Sequence, residues 1–172
     1  MDIEPDTKDW TWVLDQACPE CGLAAGDVPP AEVAHRVQAD LPRWSAVLER
    51  ADARERPAPS TWSPTEYACH VRDVHVLFAE RMRLMLDQDG PHFANWDQDE
   101  TALADDYASQ DPATVATQLV EAGEGMVELL GSIPDDAWDR TGFRSDGSEF
   151  TVATLSQYYL HDIVHHLHDV RG

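Results

Sequence analysis

Basic residues are scarce in this chain. Twelve Lys and Arg stand against 33 Asp and Glu, a formal charge of −21 over 172 residues. Such a surface repels phosphate backbones and anionic headgroups, so nucleic acid and membrane surfaces are excluded as partners. Long apolar runs are also missing, and none approaches the roughly 20 residues of a spanning helix. The start, Met1-Asp2-Ile3-Glu4-Pro5-Asp6, has neither the basic nor the apolar region of a secretion signal. A soluble, cytoplasmic protein is the expectation. Cysteine is nearly absent. Cys18, Cys21 and Cys69 are too few, and odd in number, for a disulfide framework. No glycine-rich phosphate loop and no Gly-x-Ser-x-Gly elbow occurs, which removes the commonest nucleotide and serine-hydrolase signatures.

What is present is helical patterning. Val33, Val37, Leu41, Trp44, Leu48 and Ala51 recur at steps of three and four, predicting a helix over about 31–50 with Pro42 bending it. Ser63, Pro64 and Glu66 form a capping-box start for a second helix, whose stripe is Tyr67, Val71, Val74, Phe78 and Met85. Asp111-Pro112 opens a third, with Val115, Leu119, Ala122, Met126, Leu129 and Ile133 on its apolar face. Thr151 caps a fourth, running to about Val170, with Leu160, Ile163, Val164 and Leu167 inward. Four amphipathic helices of this length predict an all-α four-helix bundle over 29–172. Residues 90–110, between the second and third helices, read as a long acidic connection. Residues 134–150 read as a second irregular one, with a turn at Asp146-Gly147.

The chemistry concentrates in histidine. His161 and His165 are four apart in the last helix, so their imidazoles stack on one face and can chelate one ion. His70, on the core side of the second helix, would complete a three-nitrogen site with an open coordination position, the mark of a catalytic rather than a structural site. Imidazole suits zinc, nickel, iron or copper alike. Asp73, Asp162 and Asp169 are candidates to hold imidazole N–H groups. His166 is read as pointing away from the site, His75 as solvent-exposed, and Cys69 as a buried inert thiol. Residues 1–28 form an N-terminal extension carrying Cys18-Pro19-Glu20-Cys21-Gly22, half of a zinc knuckle. That element is open to three readings: a residual knuckle, a second metal site completed by His35, His92 or a partner chain, or a redox pair.

The run Trp62-Ser63-Pro64-Thr65-Glu66-Tyr67-Ala68-Cys69-His70-Val71-Arg72-Asp73, followed by Leu160-His161-Asp162-Ile163-Val164-His165-His166, resembles the DinB-like superfamily. The group includes mycothiol-dependent maleylpyruvate isomerases and bacillithiol transferases. The resemblance covers about residues 30–170. It implies one divalent metal, zinc or nickel, at the mouth of the bundle on His70, His161 and His165. It further implies a low-molecular-weight thiol as cosubstrate, a small electrophile as its target, and a homodimer. Trp96-Asp97 looks like the family's aromatic-acidic loop. The leading expectation is a thiol S-transferase or isomerase with Tyr67, Trp96 and Tyr158 as the pocket wall. A metal-dependent hydrolase and a non-enzymatic, stress-associated metal-binding bundle are the alternatives.

Overall fold

The computed structural model describes Ile3 and residues 9–172. The remaining N-terminal residues, read above for a secretion signal, lie outside the described residues. Four long helices make the body: α1 (Pro30–Leu48), α2 (Pro64–Asp87), α4 (Pro112–Ser132) and α5 (Val152–Asp169). A short α3 (Gln98–Ala104) interrupts the connection after α2. No helix among the described residues is long and apolar enough to cross a membrane.

The helix starts follow from their caps. Ser63 Oγ accepts from Glu66 N at 3.3 Å, and Glu66 Oε2 accepts from Ser63 N at 2.8 Å. Arg56 then pairs with the same Glu66 carboxylate, so the start of α2 is tied to the loop before it. Asp111 caps α4 through Thr114 N at 3.0 Å, and Thr151 caps α5 through Thr154 N at 3.0 Å. Each such cap contributes about 1 kcal/mol and, more usefully, fixes where helical register begins. Pro42 is accommodated within a continuous α1.

Helix α4 packs against both α1 and α2, and α5 packs against the same two. The order around the bundle is therefore α1, α4, α2, α5. Successive helices α1 and α2 face each other across the bundle, and so do α4 and α5. Val33, Val37, Leu41 and Trp44 of α1 meet Val115, Leu119 and Met126 of α4 in a closed core with Val74, Met82, Leu155 and Leu160. On α4 the buried line runs through Gly123 and Leu130, while Ala122 and Leu129 are half-buried.

Besides α3, two features depart from the sequence reading. Residues 134–150 are not wholly irregular: β1 (Thr141–Phe143) and β2 (Glu149–Thr151) form an antiparallel hairpin, with Gly142 opposite Phe150. Three-residue strands carry too little alternation to register as a pattern. His75 is not exposed but buried, because α2 is covered by α4 and α5 on adjoining faces. Its Nδ1 shares a 2.7 Å hydrogen bond with the Tyr159 hydroxyl of α5.

Residues 9–28 lie against α5 in two single turns of 3-10 helix, Thr11–Leu14 and Ala25–Asp27. Gln157 Nε2 donates to the carbonyls of Gly26 at 3.1 Å and Val28 at 2.8 Å. Val13 and Ala25 are fully buried there. A Cβ on Gly26 would stand 1.9 Å from the Leu14 carbonyl oxygen, so only glycine allows the two turns to meet.

Tyr159→Phe tests this buried bond. It opens no cavity but leaves the His75 nitrogen without its partner, which costs about 1–3 kcal/mol. Urea denaturation at neutral pH should show that loss; an unchanged midpoint would mean the bond contributes nothing.

Candidate metal centre

Helix α5 presents two ligand pairs, each with the four-residue spacing that aligns side chains. His161 and His165 form one; Asp162 and His166 form the other, rotated by about 100° around the helix. The two faces meet different neighbours. Helix α2 and the cleft adjoin the Asp162/His166 face, and the N-terminal segment adjoins the His161/His165 face. The structure therefore divides the three histidines singled out from the sequence. His70 stands with Asp162 and His166, whereas His161 and His165 stand with Cys18 and Cys21.

In the first group, one donor atom from each residue lies within 4.8 Å of the others. His70 Nε2 is 3.5 Å from Asp162 Oδ1, and His166 Nε2 is 3.8 Å from the same oxygen. Zinc ligands in a tetrahedral array are spaced about 3.3 Å apart. His70 is wholly buried, with its ring stacked on Trp96 at 5.4 Å and tilted against Trp62 at 5.5 Å. Neither of its ring nitrogens has a hydrogen-bond partner, and neither does Asp162 Oδ1. Buried polar atoms are rarely left so, because each costs about 1–3 kcal/mol. Three converging donors, two of them otherwise unsatisfied, fit a bound cation. The His166 ring is oriented from behind, its Nδ1 lying 3.0 Å from Asp169 Oδ2. A carboxylate on the far nitrogen is the usual support of a ligating imidazole.

In the second group, Cys18 Sγ lies 3.6 Å from His165 Nδ1, and the His161 and His165 rings are 5.1 Å apart. Trp10 covers both rings, at 5.5 and 5.1 Å.

The electrostatics favour neutral rings at His70, His161 and His165 and a charged carboxylate at Asp162, as ligation requires. Burial pushes His70 below its ordinary value, with Asp162 pulling the other way. Burial and then the neighbouring His165 bring His161 down to about 4, and burial lowers His165 also. Burial works against the Asp162 carboxylate, yet His70 and His166 hold it down at about 2.

Both groups border one cleft of about 610 Å³. Tyr67, Trp96 and Tyr158 all line it, with Asp162 and His166 at its floor. The Tyr158 hydroxyl accepts from Arg144 Nη1 at 3.4 Å, and burial with Asp162 nearby raises the phenol above its ordinary value. Cys69 is fully buried, 3.4 Å from Gln110 Oε1, its thiol pushed up to about 12 by burial. His35, His92 and His168 join neither group, and Asp73 serves Arg72 and Tyr107 instead of a histidine.

His166 and Asp162 were the residues that the sequence reading placed in lesser roles. Their spacing of four is as plain as that of His161 and His165. What spacing does not reveal is which of two adjacent faces α2 will meet.

The sequence profile of the DinB superfamily matches residues 33–170. YfiT from Bacillus subtilis, called a probable metal-dependent hydrolase with an unusual four-helix bundle topology, superposes with a TM-score of 0.67 at 19% identity. That match spans 97% of this chain and 89% of YfiT. A mycothiol-dependent maleylpyruvate isomerase superposes with a TM-score of 0.59 at 13% identity, over 81% of this chain and 61% of that one. At these identities the likeness is one of fold. Among curated protein sequences there is no match.

The lowered histidines carry a pH signature. Unfolded, His161 and His75 titrate near 6.5; folded, each is held to about 4 by burial. Between those values the unfolded chain binds more protons, so stability is full above pH 6.5 and lost as pH falls to 4. Urea melts of chelator-treated protein, in salt sufficient to screen the surface charge, should show a midpoint flat above neutrality and falling across that window. A midpoint constant from 6.5 to 4 would contradict the buried, neutral assignment.

Proposed function

The chain belongs to the DinB superfamily, and on that premise we propose that it is a metal-dependent enzyme that joins a low-molecular-weight thiol to a small electrophile, by S-transfer or thiol-assisted isomerisation. The observation that carries this reading is the donor group His70, Asp162 and His166, of which Asp162 and His166 line an aromatic cleft while His70 is buried behind it. Two imidazoles and one carboxylate are a known set for catalytic zinc, and three protein ligands leave a position for a small molecule. Nickel and iron tolerate the same donors, and zinc is the ion proposed. The named role of mycothiol in the second structural neighbour supports the thiol.

His70, Asp162 and His166 would hold the ion. Bound there, it would supply the acidity that keeps a thiol as thiolate at neutral pH. The protein's own groups do the rest. Trp62 and Trp96 enclose His70, fixing its ring and keeping water from its nitrogens. Asp169 orients His166. Tyr158 remains a phenol, steadied by Arg144, and faces the cleft as a donor toward oxygen that gains charge when carbon is attacked. Tyr67 and Trp96 form the wall for a carbon skeleton. Glu20, Asp97 and Asp99 on the same lining disfavour a polyanionic electrophile.

A hydrolase is the second reading, favoured by the closer fold match to YfiT. It keeps the donors and replaces thiol by water.

The test is turnover of a fluorogenic alkyl halide by zinc-loaded protein, with and without a small thiol. Thiol-dependent turnover should vanish in His70→Ala and Asp162→Asn. It should fall by about 10–100-fold in Asp169→Asn, which keeps the three donors and loses the carboxylate behind His166. Hydrolysis of an activated ester with no thiol requirement would favour the second reading. Activity lost in His161→Ala but retained in Asp162→Asn would return the ligand set to His70, His161 and His165.

A further inference from the structure

We infer that Cys18, Cys21, His161 and His165 form a second metal site, a closed zinc centre that fastens the N-terminal segment to α5. This site uses none of the donors of the cleft centre and does not depend on the activity proposed above.

The geometry is that of a four-ligand cage. One donor atom from each of the four residues lies within 4.8 Å of every other. The 3.6 Å between Cys18 Sγ and His165 Nδ1 equals the edge, about 3.6 Å, of a tetrahedron with zinc–sulfur and zinc–nitrogen bonds of ordinary length. The backbone is bent to bring both thiols to one side. Cys18 N donates to Leu23 O at 2.9 Å, and Gly22 N donates back to Cys18 O at 2.8 Å. Gly22 holds φ +78°, a conformation that an L side chain resists. Two cysteines on a tight turn ending in glycine are one half of a zinc knuckle, and the i, i+4 histidines of α5 supply the other half.

A second observation points the same way. His161 is 4% exposed, yet its Nε2 has no hydrogen-bond partner. His165 turns Nδ1 toward Cys18, while its Nε2 faces Glu20 and Asp169 carboxylate oxygens, each at 3.8 Å. That orientation puts a lone pair on the cysteine side and an N–H on the carboxylate side. A disulfide between Cys18 and Cys21 would leave both imidazoles facing sulfur with nothing to bind. Loading zinc instead releases two thiol protons to solvent, and two thiolates cancel the charge of the ion. With four protein ligands the ion has no open position, which makes the centre structural.

Its effect reaches the cleft. Trp10 lies on the His161 and His165 rings and also lines the cleft. A fastened segment therefore gives the cleft a rigid aromatic wall.

The test is metal analysis and cobalt spectroscopy on tag-free full-length protein. Wild type should bind two zinc ions per chain. Loaded with cobalt, it should show near-ultraviolet cobalt–thiolate charge-transfer absorption. Cys18→Ser/Cys21→Ser should keep one ion, keep its helical circular dichroism, lose that absorption, and be cut by protease before residue 28. His70→Ala/Asp162→Asn should lose the other ion and keep the absorption, so failure of either site is seen separately. The wild-type spectrum decides the matter even where a variant does not fold. Cobalt-loaded wild type without thiolate absorption, or a Cys18–Cys21 disulfide in protein purified under reductant, overturns the assignment.

Discussion

Everything at the functional end of this molecule depends on the register of α5. His161 and Asp162 are neighbours in sequence but look in directions about 100° apart. Each is joined by its partner one turn later to make a chelating pair. A rotation by one residue would offer His161 and His165 to α2 and turn Leu160 and Val164 to the cysteines. The cap at Thr151 sets where the helix begins, and Gln157 locks it against the carbonyls of Gly26 and Val28. Leu155, Leu160, Ile163 and Leu167 then hold the angle by burial. Local hydrogen bonding chooses the register, and packing makes it costly to change.

The bundle was largely legible because its signals are local. Ser63-Pro64 with Glu66, Asp111-Pro112 and Thr151 each announce a helix start, and each start is found at that place. The stripes of α1 and α5 were legible for the same reason, except that Ala51 lies exposed beyond the end of α1 and Val164 is only half-buried. What could not be read was anything decided by distant parts of the chain. His75 is buried because two helices cover α2, a fact of packing order and not of spacing. The partners of Cys18 and Cys21 lie about 140 residues away. The sequence showed half of a knuckle and a histidine pair, and only the fold brings them together. The hairpin and α3 were missed because elements of three to seven residues give too few repeats to reveal a period.

The charge of the chain and the chemistry of its cleft are separable. Most carboxylates stand on the surface, where they govern solubility and repulsion. A few are brought inward, each against a cation or an imidazole: Glu66 with Arg56, Asp73 with Arg72, and Asp162 with His70. The His70 imidazole is pushed toward its neutral form because burial outweighs the attraction of one carboxylate. That balance leaves lone pairs available at neutral pH in a protein whose exterior would otherwise attract protons.

Asp169 touches both donor groups. One of its oxygens faces Nδ1 of His166, and the other faces Nε2 of His165. A carboxylate shared in this way cannot serve two imidazoles independently. Whatever draws electron density from one ring, a proton or an ion, alters what Asp169 offers the other. With an ion in each group, the two affinities would be linked, and by thermodynamic necessity the linkage would be reciprocal. The last turn of α5 is thus a wire of one residue, through which filling the cysteine cage would set the terms on which the cleft binds an ion of its own.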